Sequence, residues 1–174
     1  MKKQRIAISG APATGKTTIS LELEKLGYKV FHEVAREIIK DSLERGSDVL
    51  PWKDVLAFSE IVWDLRRTHY FEAVHEINFY DRTILDSLAY LNKEQLPTRA
   101  PWAKDCEQLR YDKVFILPVW PEIFQTDTER METLEECFEV DLYIREAYKQ
   151  QGYELIEVPI GSVKERVAFM LEHL

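Results

Sequence analysis

The chain has 174 residues, 31 acidic and 23 basic side chains, a formal net charge of −8 and 45% hydrophobic residues. That length allows one domain with a substantial core and leaves too little chain for two ordinary ones. The acidic balance argues against nucleic acid or an anionic membrane as the main partner, since both select basic faces, and no apolar run approaches the ~20 residues of a transmembrane helix.

Ile6 and Ile8 lie in a short apolar run that reads as a buried strand. Gly10, Gly15, Lys16 and Thr17 follow in the spacing G-x-x-x-x-G-K-[ST]. From Thr17 onward, Ile19, Leu23 and Leu26 recur at helical spacing until Gly27. Residues 28–32 read as a second strand with Glu33 at its end, and a helix with Val34, Ile38 and Leu43 on one side runs to Gly46. Pro51 opens a long amphipathic helix reaching about residue 75, with Val55, Phe58, Val62 and Leu65 on its apolar side. Residues 76–81 predict a third strand ending in Asp81, and Ile84, Leu85, Leu88 and Leu91 predict the next helix. Residues 96–101, with two prolines, read as a loop before a short helix at 102–109. The clearest strand is 113–117, stopped by Pro118. A polar segment at 121–133 precedes a helix at 134–151, a last strand at 153–158 and a final helix at 162–173. Ser162 and Glu165 have capping-box spacing at the start of that helix.

Five short strands alternating with helices imply parallel pairing through right-handed crossovers. The expected architecture is an α/β three-layer sandwich, a single domain over 1–174 without repeats or linkers. Met1 to Arg5 passes directly into the first strand, which predicts a cytoplasmic chain without a signal peptide. Cys106 and Cys137 are too isolated for a disulfide framework or metal site and read as free thiols. The four histidines show no metal-ligand spacing.

In a sheet of this kind ligands sit beyond the C-terminal strand ends. The first end carries the glycine loop, whose backbone N–H groups and helix N-terminus suit phosphate oxygens. Gly10, Ala13, Thr14, Gly15, Lys16, Thr17 and Thr18 are therefore the candidate nucleotide-binding residues, with Lys16 reaching the outer phosphates and Thr17 holding Mg²⁺. At the second end, Glu33 and Arg36 share a helix face. They suit either a base for a substrate hydroxyl beside a guanidinium ligand or a solvated salt bridge. At the third end, Asp81 suits Mg²⁺ or its water shell, and Arg82 suits a transferring phosphoryl group or an anionic acceptor. Asp86 suits a helix cap. The 121–133 segment has the polarity of a lid, in which Arg130 would bring positive charge as the site closes. The turn at 158–162 is a candidate contact for a purine. The tryptophans read mainly as packing residues, although Trp102 and Trp120 could flank an acceptor pocket; His32 reads mainly as structural, although it could approach the site. The acidic run Glu132, Glu135, Glu136 and Glu139 reads as a solvated helix face.

Together these residues resemble the nucleotide- and nucleoside-kinase branch of the P-loop NTPases. The resemblance is nearest to the small ATPase/kinase family that includes the ribosylnicotinamide kinase domain of bacterial NAD-regulating proteins. It rests on 10–17, on His32-Glu-Val-Ala-Arg36, on Asp81-Arg82 with Asp86, and on Thr126-Asp-Thr-Glu-Arg130. The resemblance implies strand order 2-3-1-4-5, a general-base role for an acid such as Glu33, acceptor and phosphate binding by Asp81 and Arg82, and a lid role for Arg130. No extended strand ends in the Asp-Glu pair of motor-type ATPases. The leading expectation is an ATP- and Mg²⁺-dependent kinase of a small hydroxylated metabolite, with either Glu33 or Asp81 as base. A regulatory ATPase with a protein partner and a nucleotide-binding module without turnover are the alternatives.

Overall fold

The computed structural model describes residues 3–125 and 132–174. Its centre is strand β1 (Gln4–Ser9), buried on both sides, as a near-continuous apolar strand in a parallel sheet must be. β2 (Lys29–Phe31), β3 (Ile77–Asp81), β4 (Lys113–Ile116) and β5 (Leu155–Glu157) complete a five-stranded parallel sheet in the order β2-β3-β1-β4-β5. In register, Ile6 lies beside Phe79 and Ile8 beside both Asp81 and Phe115.

Strand alternation divides the core into two layers. Ile6, Ile8, Phe79 and Phe115 face α1 (Lys16–Lys25) and α7 (Val163–Glu172), which contribute Ile19, Leu23, Val167 and Met170. Ala7, Tyr80, Val114 and Ile116 face the other way. There they meet α3 (Val55–Phe71), α4 (Ile84–Lys93), α5 (Ala100–Gln108) and α6 (Leu134–Gln150) through Trp63, Leu85, Cys106 and Ile144. α2 (Ala35–Glu44) packs on α3 through a smaller cluster of Val34, Ile39, Phe58 and Val62.

Two boundaries and one helix face differ from the sequence pattern. α3 begins at Val55 rather than Pro51 because Asp54 is its cap, accepting from Ala57 N at 2.9 Å. The preceding residues instead form a turn, with Lys53 N and Asp54 N both donating to Leu50 O. α5 begins earlier, at Ala100, because Pro101 is tolerated in a first turn where its missing N–H has no helical partner. The inward face of α2 is Ile39 and Ser42, leaving Leu43 exposed. Neither cysteine forms a disulfide, and both are buried. Among the described residues no helix is long and apolar enough to cross a membrane, and no cluster of His, Cys, Asp or Glu suits a metal ion.

Candidate active site

The loop between β1 and α1 turns through three left-handed residues, Gly10 (φ 141°), Ala13 (φ 60°) and Gly15 (φ 89°). A Cβ on Gly10 would lie 2.4 Å from the Leu117 carbonyl oxygen, so only glycine lets the loop pass this close to β4. No side chain caps α1, so its first N–H groups are available to an anion. Lys16 lies back across the loop, its Nζ donating to Gly10 O (2.9 Å), Ala11 O (2.6 Å) and Thr14 Oγ1 (3.1 Å). Burial, reinforced by repulsion from Arg82, lowers its pKa to about 7. Thr17 and Thr18 are exposed, and the Thr18 hydroxyl donates to Gly15 O at 2.8 Å.

The end of β3 lies beside this loop. Arg82 N extends the ladder by donating to Ile8 O (2.9 Å), after which Arg82 adopts φ 70°, a left-handed conformation that costs a non-glycine residue about 1 kcal/mol. The kink leads into the Thr83 cap of α4. Glu33 spans two guanidinium groups: Oε1 accepts from Arg66 Nη2 (2.8 Å) and Ala35 N (3.1 Å), and Oε2 meets Arg82 Nε at 2.6 Å. Burial pushes the Glu33 carboxyl up, but Arg66 and Arg82 together outweigh it and hold the group below the usual carboxylate range. Asp81 behaves oppositely: burial, then repulsion from Glu33, raises it to about 6. Its Oδ2 accepts from Ser20 Oγ on α1 at 3.2 Å, whereas its Oδ1 is buried without a hydrogen-bond partner.

Behind this pair, Asp86 is wholly buried and gathers four elements. Its Oδ1 accepts from Ser9 Oγ (2.5 Å) at the end of β1 and from Arg82 Nη1 (3.2 Å). Its Oδ2 accepts from Thr83 N (2.8 Å) and from the Tyr148 hydroxyl on α6 (2.8 Å). The cap expected of Asp86 is therefore present, together with three further tasks.

A cavity of about 860 Å³ joins these parts. Ala13, Thr14, Gly15, Lys16, Thr17 and Thr18 line one side, and Glu33, Arg36, Asp81 and Arg82 line the other. Gly10 shapes the loop from outside the lining. Arg130 lies outside the described residues. Between α2 and α3 the cavity continues over Ile39, Trp52, Val55, Phe58 and Val62.

The structure revises one expectation, for Glu132 and Glu136, and decides two open alternatives, for Trp102 and His32. Trp102 does not flank the cavity: it is buried and stacks on Trp63, ring centroids 4.9 Å apart, because both fill the layer beneath α3 and α5. Trp120 does line the cavity. His32 turns away and faces Glu24 at 3.4 Å. Glu132 and Glu136 are more than a solvated face, since both line the cavity. Two further residues of the site, Arg66 and Arg166, lie outside the candidates read from sequence. Arg66 sits on the buried stripe of α3 with Phe58, Ser59, Val62 and Trp63, where a charged residue signals a buried partner. Arg166 sits on the buried stripe of α7 beside Val167 and donates from Nη1 to Thr14 O at 3.0 Å.

Sheet order, glycine loop and flanking strand ends define a P-loop kinase-like fold. More particularly, the chain belongs to a family of AAA domains, whose model matches residues 5–166. No curated protein matches it in sequence. Solved structures share the fold. They include deoxyadenosine kinase from M. mycoides with bound dATP, at 21% identity over 98% of each chain with a TM-score of 0.68. NadR protein in complex with NR is 17% identical over 98% of this chain and 51% of that one, with a TM-score of 0.70. Thymidylate kinase from Candida albicans is 17% identical over 99% and 91%, with a TM-score of 0.67. At these identities the likeness is one of fold.

Proposed function

We propose that the chain is an ATP- and Mg²⁺-dependent phosphotransferase, a single cytoplasmic domain acting on a hydroxyl of a small metabolite such as a nucleoside, nucleotide or other ribosyl compound. One observation carries this reading: the phosphate loop and the Glu33–Arg66–Arg82 set open onto the same cavity, so donor and acceptor can be held side by side. The kinases among its fold neighbours support it.

In this reading the loop N–H groups and the α1 N-terminus bind the donor phosphates. Lys16 leaves the Gly10 and Ala11 carbonyls for the outer phosphates and regains full charge there. Thr17 and Asp81 would hold Mg²⁺, and the unpartnered Asp81 Oδ1 fits that role. Bound Mg²⁺ would supply charge neutralisation between phosphate oxygens. Glu33, ionised at neutral pH, orients the acceptor hydroxyl and takes its proton as the phosphoryl group transfers. Arg82 faces the developing charge, with Arg36 on the acceptor side and Arg130 closing from the lid. A coupled ADP-release assay across nucleosides, nucleotides and other ribosyl compounds tests the proposal. One acceptor should raise turnover well above basal hydrolysis, and Glu33→Gln should abolish the increment. If no acceptor does so, the kinase reading fails and a regulatory ATPase takes its place.

A further inference from the structure

The cavity wall facing the phosphate loop is rich in cations, but their charge is already matched within the protein. Arg66 donates from Nη2 to Glu33 (2.8 Å) and from Nη1 to Ser87 Oγ (2.8 Å) and Thr83 O (3.1 Å). Arg82 meets Glu33 and Asp86, and its guanidinium carbon lies 5.8 Å from the Tyr90 ring centroid. Lys93 pairs with Glu94 (3.1 Å) and Glu139 (3.7 Å), and Arg36 too has a partner. Arg66 Nε is buried without a hydrogen-bond partner, a single donor against the three oxygens of a phosphomonoester. The carboxylates Glu94, Glu132 and Glu136 line the same cavity. Among the described residues, this wall therefore holds no surplus positive charge for a phosphate on the acceptor.

Glu33 points the same way. A phosphate oxygen serving as acceptor is already anionic and needs no base, whereas a hydroxyl has a proton to lose. Glu33, held ionised by Arg66 and Arg82, suits the hydroxyl and repels a dianion placed beside it. Between α2 and α3 the lining is apolar, with Ile39, Val55, Phe58 and Val62. Trp52 also lines the cavity, yet is 41% exposed. The turn that carries it is ordered by Lys53 N and Asp54 N on Leu50 O, so the indole is presented from fixed backbone. A phosphate in this compartment would lose water without gaining a counter-charge. A flat uncharged ring would gain apolar contact and cover the indole.

We propose that the cavity selects an acceptor without a phosphate: an uncharged hydroxyl compound bearing a flat ring, a nucleoside rather than a nucleotide, with Trp52 packed on that ring. This rests on the phosphotransferase reading and narrows it. The acceptor oxygen bonds to the γ-phosphorus as the bond to the β,γ-bridging oxygen breaks. ADP leaves with that electron pair, and Glu33 takes the hydroxyl proton. Discrimination comes from repulsion at Glu33 together with arginines already committed elsewhere.

Matched pairs test the proposal. Each common nucleoside and its 5′-monophosphate is titrated by calorimetry into protein already saturated with Mg²⁺ and a non-hydrolysable ATP analogue. The same pairs are compared for kcat/KM in the coupled ADP-release assay. At least one nucleoside should surpass its monophosphate by about a hundredfold in both readouts. Trp52→Ala should raise the KM of that nucleoside roughly tenfold with kcat changed by less than about twofold, and Trp52→Phe should restore most of the loss. A monophosphate that binds or reacts as well as its nucleoside would overturn the proposal, and so would a Trp52→Ala variant with unchanged KM. Phosphorylation of some other acceptor, with no nucleoside bound, would overturn it while leaving the phosphotransferase reading intact. Selective nucleoside binding without phosphorylation would do the reverse, upholding the charge selection and sinking the transfer.

Discussion

The two walls of the cavity handle charge in opposite ways. On the loop side, Lys16 rests on neutral carbonyl and hydroxyl oxygens and is pushed down to about 7. On the other side, Glu33 lies between Arg66 and Arg82, and Asp86 ties Arg82 down from behind. The first wall is incomplete and calls for an anion; the second is neutralised within the protein. A site that binds a highly charged donor gains from the first arrangement, because the ligand removes a penalty already present. A site that must aim a neutral hydroxyl gains from the second, which fixes the Glu33 carboxylate in place before anything arrives.

Breaking the completed wall should have the largest effect. Asp86→Ala leaves Arg82, Ser9, Thr83 and Tyr148 without their common acceptor and should cost about 3–5 kcal/mol in urea unfolding, as removal of one partner from a buried ion pair does. Asp86→Asn should cost visibly less, since it keeps part of the network. The incomplete wall should respond with the opposite sign. Lys16→Met should weaken Mg·ATP by about a hundredfold in calorimetry, yet raise the unfolding midpoint without ligand, because it removes a buried cation whose desolvation its neutral acceptors do not offset.

Titration sharpens the contrast. Asp81 has a folded pKa of about 6 against a reference of 3.8, so its contribution is full below the lower value and is lost as pH rises through the upper one. Lys16 falls from 10.5 to about 7, so the unfolded chain holds more protons between those values and stability recovers as pH climbs through that range. Ligand-free protein should therefore be least stable between about pH 6 and 7 in chemical denaturation, with saturating Mg·ATP filling the trough. Glu33, held low, adds a separate loss as pH falls below the ordinary carboxylate range. A profile rising smoothly from pH 5 to 8 would contradict the assignment of these shifts. The smallest expected effect lies at the edge of the donor end: Ser162→Ala removes the α7 cap and should cost about 1 kcal/mol in unfolding.

What the sequence made legible follows how locally each feature is built. The loop from Gly10 to Thr18 is held largely by bonds spanning two to six residues, so its motif was readable from one window, whereas the Arg166 donor to Thr14 O lies 152 residues away and was not. Strand ends carrying Glu33 and Asp81 were readable because apolar runs stop there. The partner of Glu33 was not, since Arg66 lies 33 residues away on a helix whose register pattern alone does not fix. Asp86 was half legible: its cap with Thr83 is local, whereas Ser9 and Tyr148 are 77 and 62 residues distant. Trp102 was ambiguous, because an aromatic residue near a loop has no local mark separating a cavity wall from a core stack.

The Asp86 junction also bears on how the chain folds. Its donors come from β1, the β3 end, α4 and α6, so no early stretch of chain can satisfy that carboxylate alone. An amino-terminal piece ending before α6 would hold the Thr83 hydroxyl and the Asp86 carboxylate against a missing Tyr148 and would expose the apolar layer that Val140, Ile144 and Ala147 cover. The phosphate loop, though written entirely in the first 18 residues, thus has beside it a carboxylate whose last donor, Tyr148, arrives only when α6 has docked. Local legibility and late assembly coexist in one site, and the long-range junction makes folding of the two walls a single cooperative event.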